Sequence, residues 1–253
     1  IERPLNVMFN VNFVDAAKQF RQGIGALLHT EAEREYLANK TGLIEGLTYR
    51  GGSKPTQEML DTDPLIVAAG LSFRDGKLID FIPMGKNFVG PRPETDALEY
   101  IDNAEGMVVR KVWCGNMAHS YFSMVGYYFD DCTYTYEAAR NPYGQFLTQQ
   151  AVNEAADAVE QAYGLNKELM DEIGIVKLPV ADPIRKLGRN DRYTGTGLLC
   201  LKQGILPFYI ACGAALLLLY DNPDDPRAAE MQQFIAAHGI QEAIVQYCEL
   251  DPA

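Results

Sequence analysis

Several features that would decide a function quickly are missing from this sequence of 253 residues. No G-x-G-x-x-G run follows a strand-forming segment: Gly23-x-Gly25 falls inside a helical pattern and lacks the third glycine, so the usual pyrophosphate cradle of a dinucleotide-binding domain is not found. Positive charge is short. With 22 basic against 34 acidic side chains the net charge is −12, which argues against nucleic acid or an anionic membrane as partner, because both need a basic surface. Apolar runs are short too: the longest, Ile205 to Tyr220, holds 16 residues and contains Pro207 and Gly213, under the roughly 20 that a membrane span requires. A buried core helix is expected there instead. The five cysteines (Cys114, Cys132, Cys200, Cys212, Cys248) are odd in number, with no C-x-x-C and no histidine pair beside them. That excludes a disulfide framework and a zinc site, and predicts buried thiols in a reducing, cytoplasmic setting. The chain opens at Ile1-Glu2-Arg3-Pro4 with neither an initiator methionine nor a signal segment, and is expected to be a fragment of a longer polypeptide.

What is present divides in two. Leu5 to Asn12 is rich in β-forming side chains, Val14 to Leu28 carries a helical period, and Thr30 with Glu33 forms a capping box for a second helix. Leu43 to Arg50, Pro64 to Gly70 and Lys77 to Phe81 read as short strands between Gly, Ser, Pro and Asp. From about Pro91 the β-branched runs stop and helical patterns take over. The clearest cover 141–163, 191–203, 208–219 and 226–237, with Asp182-Pro183 and Asp225-Pro226 as N-cap and first-turn pairs. The expectation is an α/β N-terminal portion with a partial sheet over 1–90, then a mainly α-helical domain over 91–253, separated near Gly85, Gly90, Pro91 and Pro93.

Only three histidines exist. His29 and His238 sit near helix ends, where a solvent-facing histidine meeting the helix dipole is the ordinary use. His119 differs in its company. At 100° per residue, Lys111, Asn116 and His119 fall at about 0°, 140° and 80° around one apolar helix, and so share a face. Three such groups are costly to bury without either a mutually satisfied polar network or a chemical use. The chemistry that suits them is oxidation of an alcohol. A lysine with a pKa lowered by desolvation takes the hydroxyl proton, and an asparagine and a histidine hydrogen-bond the oxygen as it becomes a carbonyl, with no metal required.

Lys111-x4-Asn116-x2-His119, the strand ending near Asn12, Asp182-Pro183-Ile184-Arg185-Lys186-Leu187 with Asp191-Arg192, and Gly204-Ile205-Leu206-Pro207 before a Gly/Ala-rich helix together resemble the long-chain mannitol dehydrogenase family, above all its mannitol-1-phosphate branch. Asp224-Asp225-Pro226 through Gly239-Ile240 to Leu250-Asp251-Pro252 extends the resemblance to the tail. It implies a helical domain like the C-terminal domain of 6-phosphogluconate dehydrogenase-like enzymes. It implies Lys111 as general base, Asn116 and His119 as oxyanion stabilisers, and Asn12 near the same oxygen. NAD(P) is the implied cofactor of the intact enzyme, though not one that this chain would bind alone. Where the family carries Arg-Phe-x-Asn-Pro, this chain has Gly174-Ile175-Val176-Lys177-Leu178-Pro179, so contacts from that loop are not carried over.

Arg185, Lys186, Arg189 and Arg192, with Asp191, give a net +3 within eight residues of an acidic chain, which suits a sugar phosphate as well as it suits a solvated basic helix end. Arg185, Lys186 and Arg192 are the substrate-binding candidates. The expected function is therefore the catalytic and substrate-binding part of a polyol or polyol-phosphate dehydrogenase acting on a sugar alcohol or sugar phosphate. A non-catalytic helical binding or oligomerisation module is the alternative. The unmatched strands are expected to be covered by self-association or by an ordered remainder.

Overall fold

The protein is described by a computed structural model over residues 3–47, 57–62, 72–74, 77–79, 82–129, 135–165 and 186–251. It divides into two compact units, Ile1–Val108 and Val109–Ala253. The expected segments at Pro64 to Gly70 and Asp182-Pro183, and Cys132, lie outside the described residues.

In the first unit four strands form a sheet in the order β1 (Leu5–Asn10), β2 (Thr41–Gly46), β5 (Ile82–Gly85), β6 (Leu98–Ile101). β1 runs parallel to β2 with Leu5 opposite Thr41, β2 meets β5 antiparallel at Gly46 and Met84, and β5 is parallel to β6. Two further strands, β3 (Ser72–Arg74) and β4 (Lys77–Ile79), form a separate hairpin. β2 is buried at every residue, whereas β1 lies on the sheet edge with Leu5 and Met8 half exposed. The side chain of Asn6 ties the sheet to the segment after β5: its amide donates to the Val89 carbonyl (3.2 Å) and its Oδ1 accepts from the Val89 N–H (2.9 Å). Gly42 makes room for it, since a β-carbon there would meet Asn6 Oδ1 at 2.2 Å. Helices α1 (Ala16–Gly25) and α2 (Glu31–Asn39) link β1 to β2, α3 (Gln57–Thr62) follows, and α4 (Ala104–Val109) closes the unit. The capping box at Thr30 and Glu33 forms as the sequence predicts.

The second unit is helical. A π-turn (Arg110–Gly115) leads into α5 (Asn116–Phe129), followed by α6 (Thr135–Ala138), α7 (Pro142–Tyr163), α8 (Thr194–Lys202), α9 (Phe208–Leu218), α10 (Pro226–His238) and α11 (Ile240–Cys248). α7 is its axis. Asn141 caps its first turn ahead of Pro142, and Gly164 ends it in the left-handed conformation at φ 65°. The buried Ala151, Ala155 and Ala158 keep its inner face narrow, so α5, the π-turn, α8 and α9 all pack against it. α7 also caps α9. Pro207 precedes α9 and offers no side-chain acceptor, and the Glu154 carboxylate takes both free donors, from Tyr209 N–H and Ile210 N–H at 3.0 Å each.

Two expectations need correction. A strand, β6, lies beyond residue 91, where helix was expected throughout; four residues are too few for a period to show, and pairing with β5 forms it. The apolar run at 205–220 is not wholly buried: α9 buries Ile210, Gly213, Leu217 and Leu218, while Phe208 and Leu219 are more than half exposed. No helix among the described residues is long and apolar enough to cross a membrane.

Two substitutions test this packing. Removing the Glu154 carboxylate as Glu154→Ala leaves two donors of α9 without their acceptor and should lower unfolding free energy in urea by about 1–2 kcal/mol. Gly213→Ala, whose added carbon would meet the Tyr193 and Tyr121 rings at 2.5 and 2.6 Å, should cost about 1–3 kcal/mol as overpacking. An unchanged midpoint in either variant would contradict the contact concerned.

Candidate functional site

Lys111 lies in the π-turn, and Asn116 and His119 lie in the first turn of α5 that continues it. The turn is marked by an i→i+5 bond from Asn116 N–H to the Lys111 carbonyl. Such a turn absorbs one extra residue, so residue i sits over i+5 much as an α-helix sets i over i+4. The helical angles given by the sequence therefore shrink. Counting one residue as absorbed, Asn116 and His119 lie about 40° and −20° from Lys111, a spread of about 60° in place of about 140°. The three side chains are brought closer to one line than a regular helix allows, and all three are half-buried.

Burial sets their protonation. Desolvation brings the Lys111 ammonium down to a pKa of about 8, because the charged form is the one that loses water. His119 is lowered too, first by desolvation and then by the positive charge of Arg192, which favours a neutral imidazole at neutral pH. The His119 Nδ1 atom is buried and has no hydrogen-bond partner among the described residues.

The basic segment is split by the fold. Arg189 turns to the C-terminal tail: its N–H donates to Glu249 Oε2 and its guanidinium to the Glu249 carbonyl, both at 3.1 Å, with Asp251 at 3.6 Å. Arg192 stays inside, its side chain 16% exposed and 3.6 Å from Asp191, and its charge reaches His119. Lys186 is buried. Arg185 and the loop at 174–179 lie outside the described residues. Asn12 belongs to the first unit, exposed, two residues past β1.

The start of α1 does not fit a cofactor's pyrophosphate. No glycine lies between Asn10 and Ala16. Asp15 precedes the helix in the left-handed region at φ 60° without capping it, and the Ala17 N–H is already taken by Glu45 Oε1 at 2.8 Å. Two carboxylates stand where a phosphate would need donors.

The sequence pattern singled out none of the residues that brace the π-turn. Trp113, in that turn, donates from its indole Nε1 to the Asn190 carbonyl (3.4 Å) and packs against Gly195, while Thr196 reaches its carbonyl. The run Thr194-Gly195-Thr196-Gly197, small residues inside a helix, was the available signal.

No family model matches the sequence. Mannitol-1-phosphate 5-dehydrogenase of Bacillus licheniformis is 26% identical over 267 aligned residues, covering 99% of this chain and 66% of that protein. The enzyme of the same name from Oceanobacillus iheyensis is 29% identical over 181 residues, covering 66% and 47%. Over nearly its whole length the chain is similar in sequence to mannitol-1-phosphate 5-dehydrogenases. Among solved structures, mannitol 2-dehydrogenase of Pseudomonas fluorescens, in a ternary complex with NAD and D-mannitol, matches with a TM-score of 0.62 at 15% identity over 96% of this chain and 54% of that one. A substrate-free D-sorbitol dehydrogenase matches at 0.58 and 13%, covering 85% and 47%. The structural matches speak for the fold, a partial sheet followed by a helical domain, as the mannitol dehydrogenase resemblance implied. The chain spans two thirds or less of the length of these relatives.

The lowered pKa of Lys111 has a thermodynamic consequence. An unfolded chain keeps that amine protonated to about pH 10.4, whereas the folded chain releases the proton near 8. Between these values the unfolded state binds more protons, so the fold gains stability as pH rises through the window. Lys111→Met lacks this gain. Its unfolding free energy relative to wild type, measured in urea at about pH 7.5 and pH 10, should fall between the two; a constant difference would mean an ordinary lysine.

Proposed function

We propose that this chain is the substrate-binding and catalytic part of a NAD(P)-dependent polyol or polyol-phosphate dehydrogenase, oxidising a secondary alcohol to a ketose. The observation that carries the reading is the half-buried Lys111 with its depressed pKa, set by the π-turn in line with Asn116 and His119. The resemblance of the whole chain to mannitol-1-phosphate 5-dehydrogenases supports it.

In this reading the neutral Lys111 amine removes the hydroxyl proton. The Asn116 amide and a neutral His119 N–H donate to the oxygen as it passes from alkoxide to carbonyl, and Asn12, two residues past β1, contributes a further donor. A pKa near 8 leaves an appreciable fraction of the amine unprotonated at neutral pH while keeping it a strong enough base. Arg192 and Lys186, with Arg185, hold the far end of the polyol, where a guanidinium fork matches phosphate oxygens. Nicotinamide chemistry supplies the hydride acceptor in reactions of this class. The α1 start does not fit that group, so in this reading the intact enzyme holds it elsewhere. The exposed edge strand β1 is then covered by self-association or by an ordered remainder.

The reading has separable consequences. In an intact active enzyme Lys111→Ala should lower kcat by about a hundredfold or more, and the ascending limb of the wild-type pH profile should fall near the Lys111 pKa of about 8. Retained turnover at neutral pH would remove Lys111 from the role. Arg192→Ala should raise KM for a phosphorylated polyol more than for the free polyol; equal effects would sink the phosphate assignment. The 253-residue chain alone should show no saturable binding of reduced nicotinamide cofactor by fluorescence, and micromolar binding would show that its first unit holds the cofactor after all.

A further inference from the structure

Trp113 lies between Lys111 and Asn116 in the π-turn and is buried. Three residues of one segment hold it. The Asn190 carbonyl accepts the indole N–H at 3.4 Å. Gly195 lies flat against the ring: a β-carbon there would stand 3.0 and 3.1 Å from indole carbons and 3.1 Å from the Asn190 carbonyl carbon. Thr196, fully buried, places its hydroxyl 3.5 Å from the Trp113 carbonyl and 2.5 Å from the Arg192 carbonyl. The same segment carries Arg192, whose charge bears on His119.

A π-turn strains an otherwise regular helix and survives where its surroundings hold it. Were it to relax to α-geometry, the absorbed residue would be released and Lys111 would turn by about 100° away from Asn116 and His119. The side chain would leave its half-buried place. We infer that Trp113, gripped by Asn190, Gly195 and Thr196, is a positioning residue: it locks the π-turn and so fixes Lys111 in line with Asn116 and His119. The clamp rests on the reading of Lys111 as a base. It adds that the segment 190–196 sets the geometry of the acid–base group besides bearing Arg192.

Competitive labelling of the full chain with limiting acetic anhydride, read by mass spectrometry across pH 6.5 to 11, tests this without cofactor or turnover. Exposed Lys202 serves as the internal standard. Wild-type Lys111 should label with a midpoint near 8. In Trp113→Phe, which loses the indole N–H, and in Thr196→Val, which keeps the volume and loses the hydroxyl, the midpoint should rise by about one unit, so that about tenfold less neutral amine is present at pH 7. Cooperative thermal unfolding should persist in both. A wild-type midpoint matching Lys202 overturns the base assignment and the clamp with it. A midpoint near 8 that neither variant moves overturns the clamp alone. Loss of cooperative unfolding in Thr196→Val would make the contact a matter of folding, and would overturn the positioning role as well.

Discussion

The close approach of helices to the alanine face of α7 is the constraint on which the second unit depends. Ala151, Ala155 and Ala158 present one methyl each, so α5, the π-turn, α8 and α9 can share one helix as neighbour. Larger residues there would push those elements apart. With the elements this close, Glu154 can reach from α7 to the first turn of α9. The tight spacing also brings α9 against the aromatic pair Tyr121 and Tyr193, whose rings fill the space that Gly213 leaves open. Tyr193 lies within the segment 190–196 that grips Trp113. Packing, capping and site geometry thus follow from a single run of small residues.

Much of this was legible in the sequence because the signals were local. Asp225-Pro226 and Thr30 with Glu33 are capping patterns whose acceptors lie within three residues of their donors, and each helix starts where its pattern says. The long helical periods at 141–163 and 208–219 were equally clear, and the helices form within a residue of those bounds. β6 was not: Leu98-Glu99-Tyr100-Ile101 acquires its identity from pairing with β5. The same holds for Glu45 and Glu154, which cap helices that begin 29 and 54 residues away in sequence, at Ala16 and Phe208. Nothing local marks a carboxylate as the cap of a distant helix.

The site shows the same division. Lys111, Asn116 and His119 could be read as one face of a helix because the spacing is short, yet an ideal period gives the wrong angles. The π-turn is invisible to a count of 100° per residue, and its cause lies some 80 residues away, in the contacts of Asn190, Gly195 and Thr196 with Trp113. A basic cluster read as one patch likewise separates in three dimensions, Arg189 to the tail and Arg192 to the interior. Charge counting finds a cluster but not the direction in which each side chain points.

The positive charge that remains inside bears on protonation as well. In a chain of net charge −12, long-range fields would raise the proton affinity of an exposed lysine or histidine. Lys111 and His119 move the other way because burial removes the water that would stabilise their cations, and at His119 the Arg192 charge adds to the effect. A neutral amine can accept a proton, and a neutral imidazole can donate one N–H while its other nitrogen stays free. In the proposed reaction a single arrangement would then do two things: the guanidinium that favours an anionic substrate also keeps the histidine uncharged. The acidic surface acts only through solvent, where salt screens it over about 10 Å, so the local basic group outweighs the distant acidic majority.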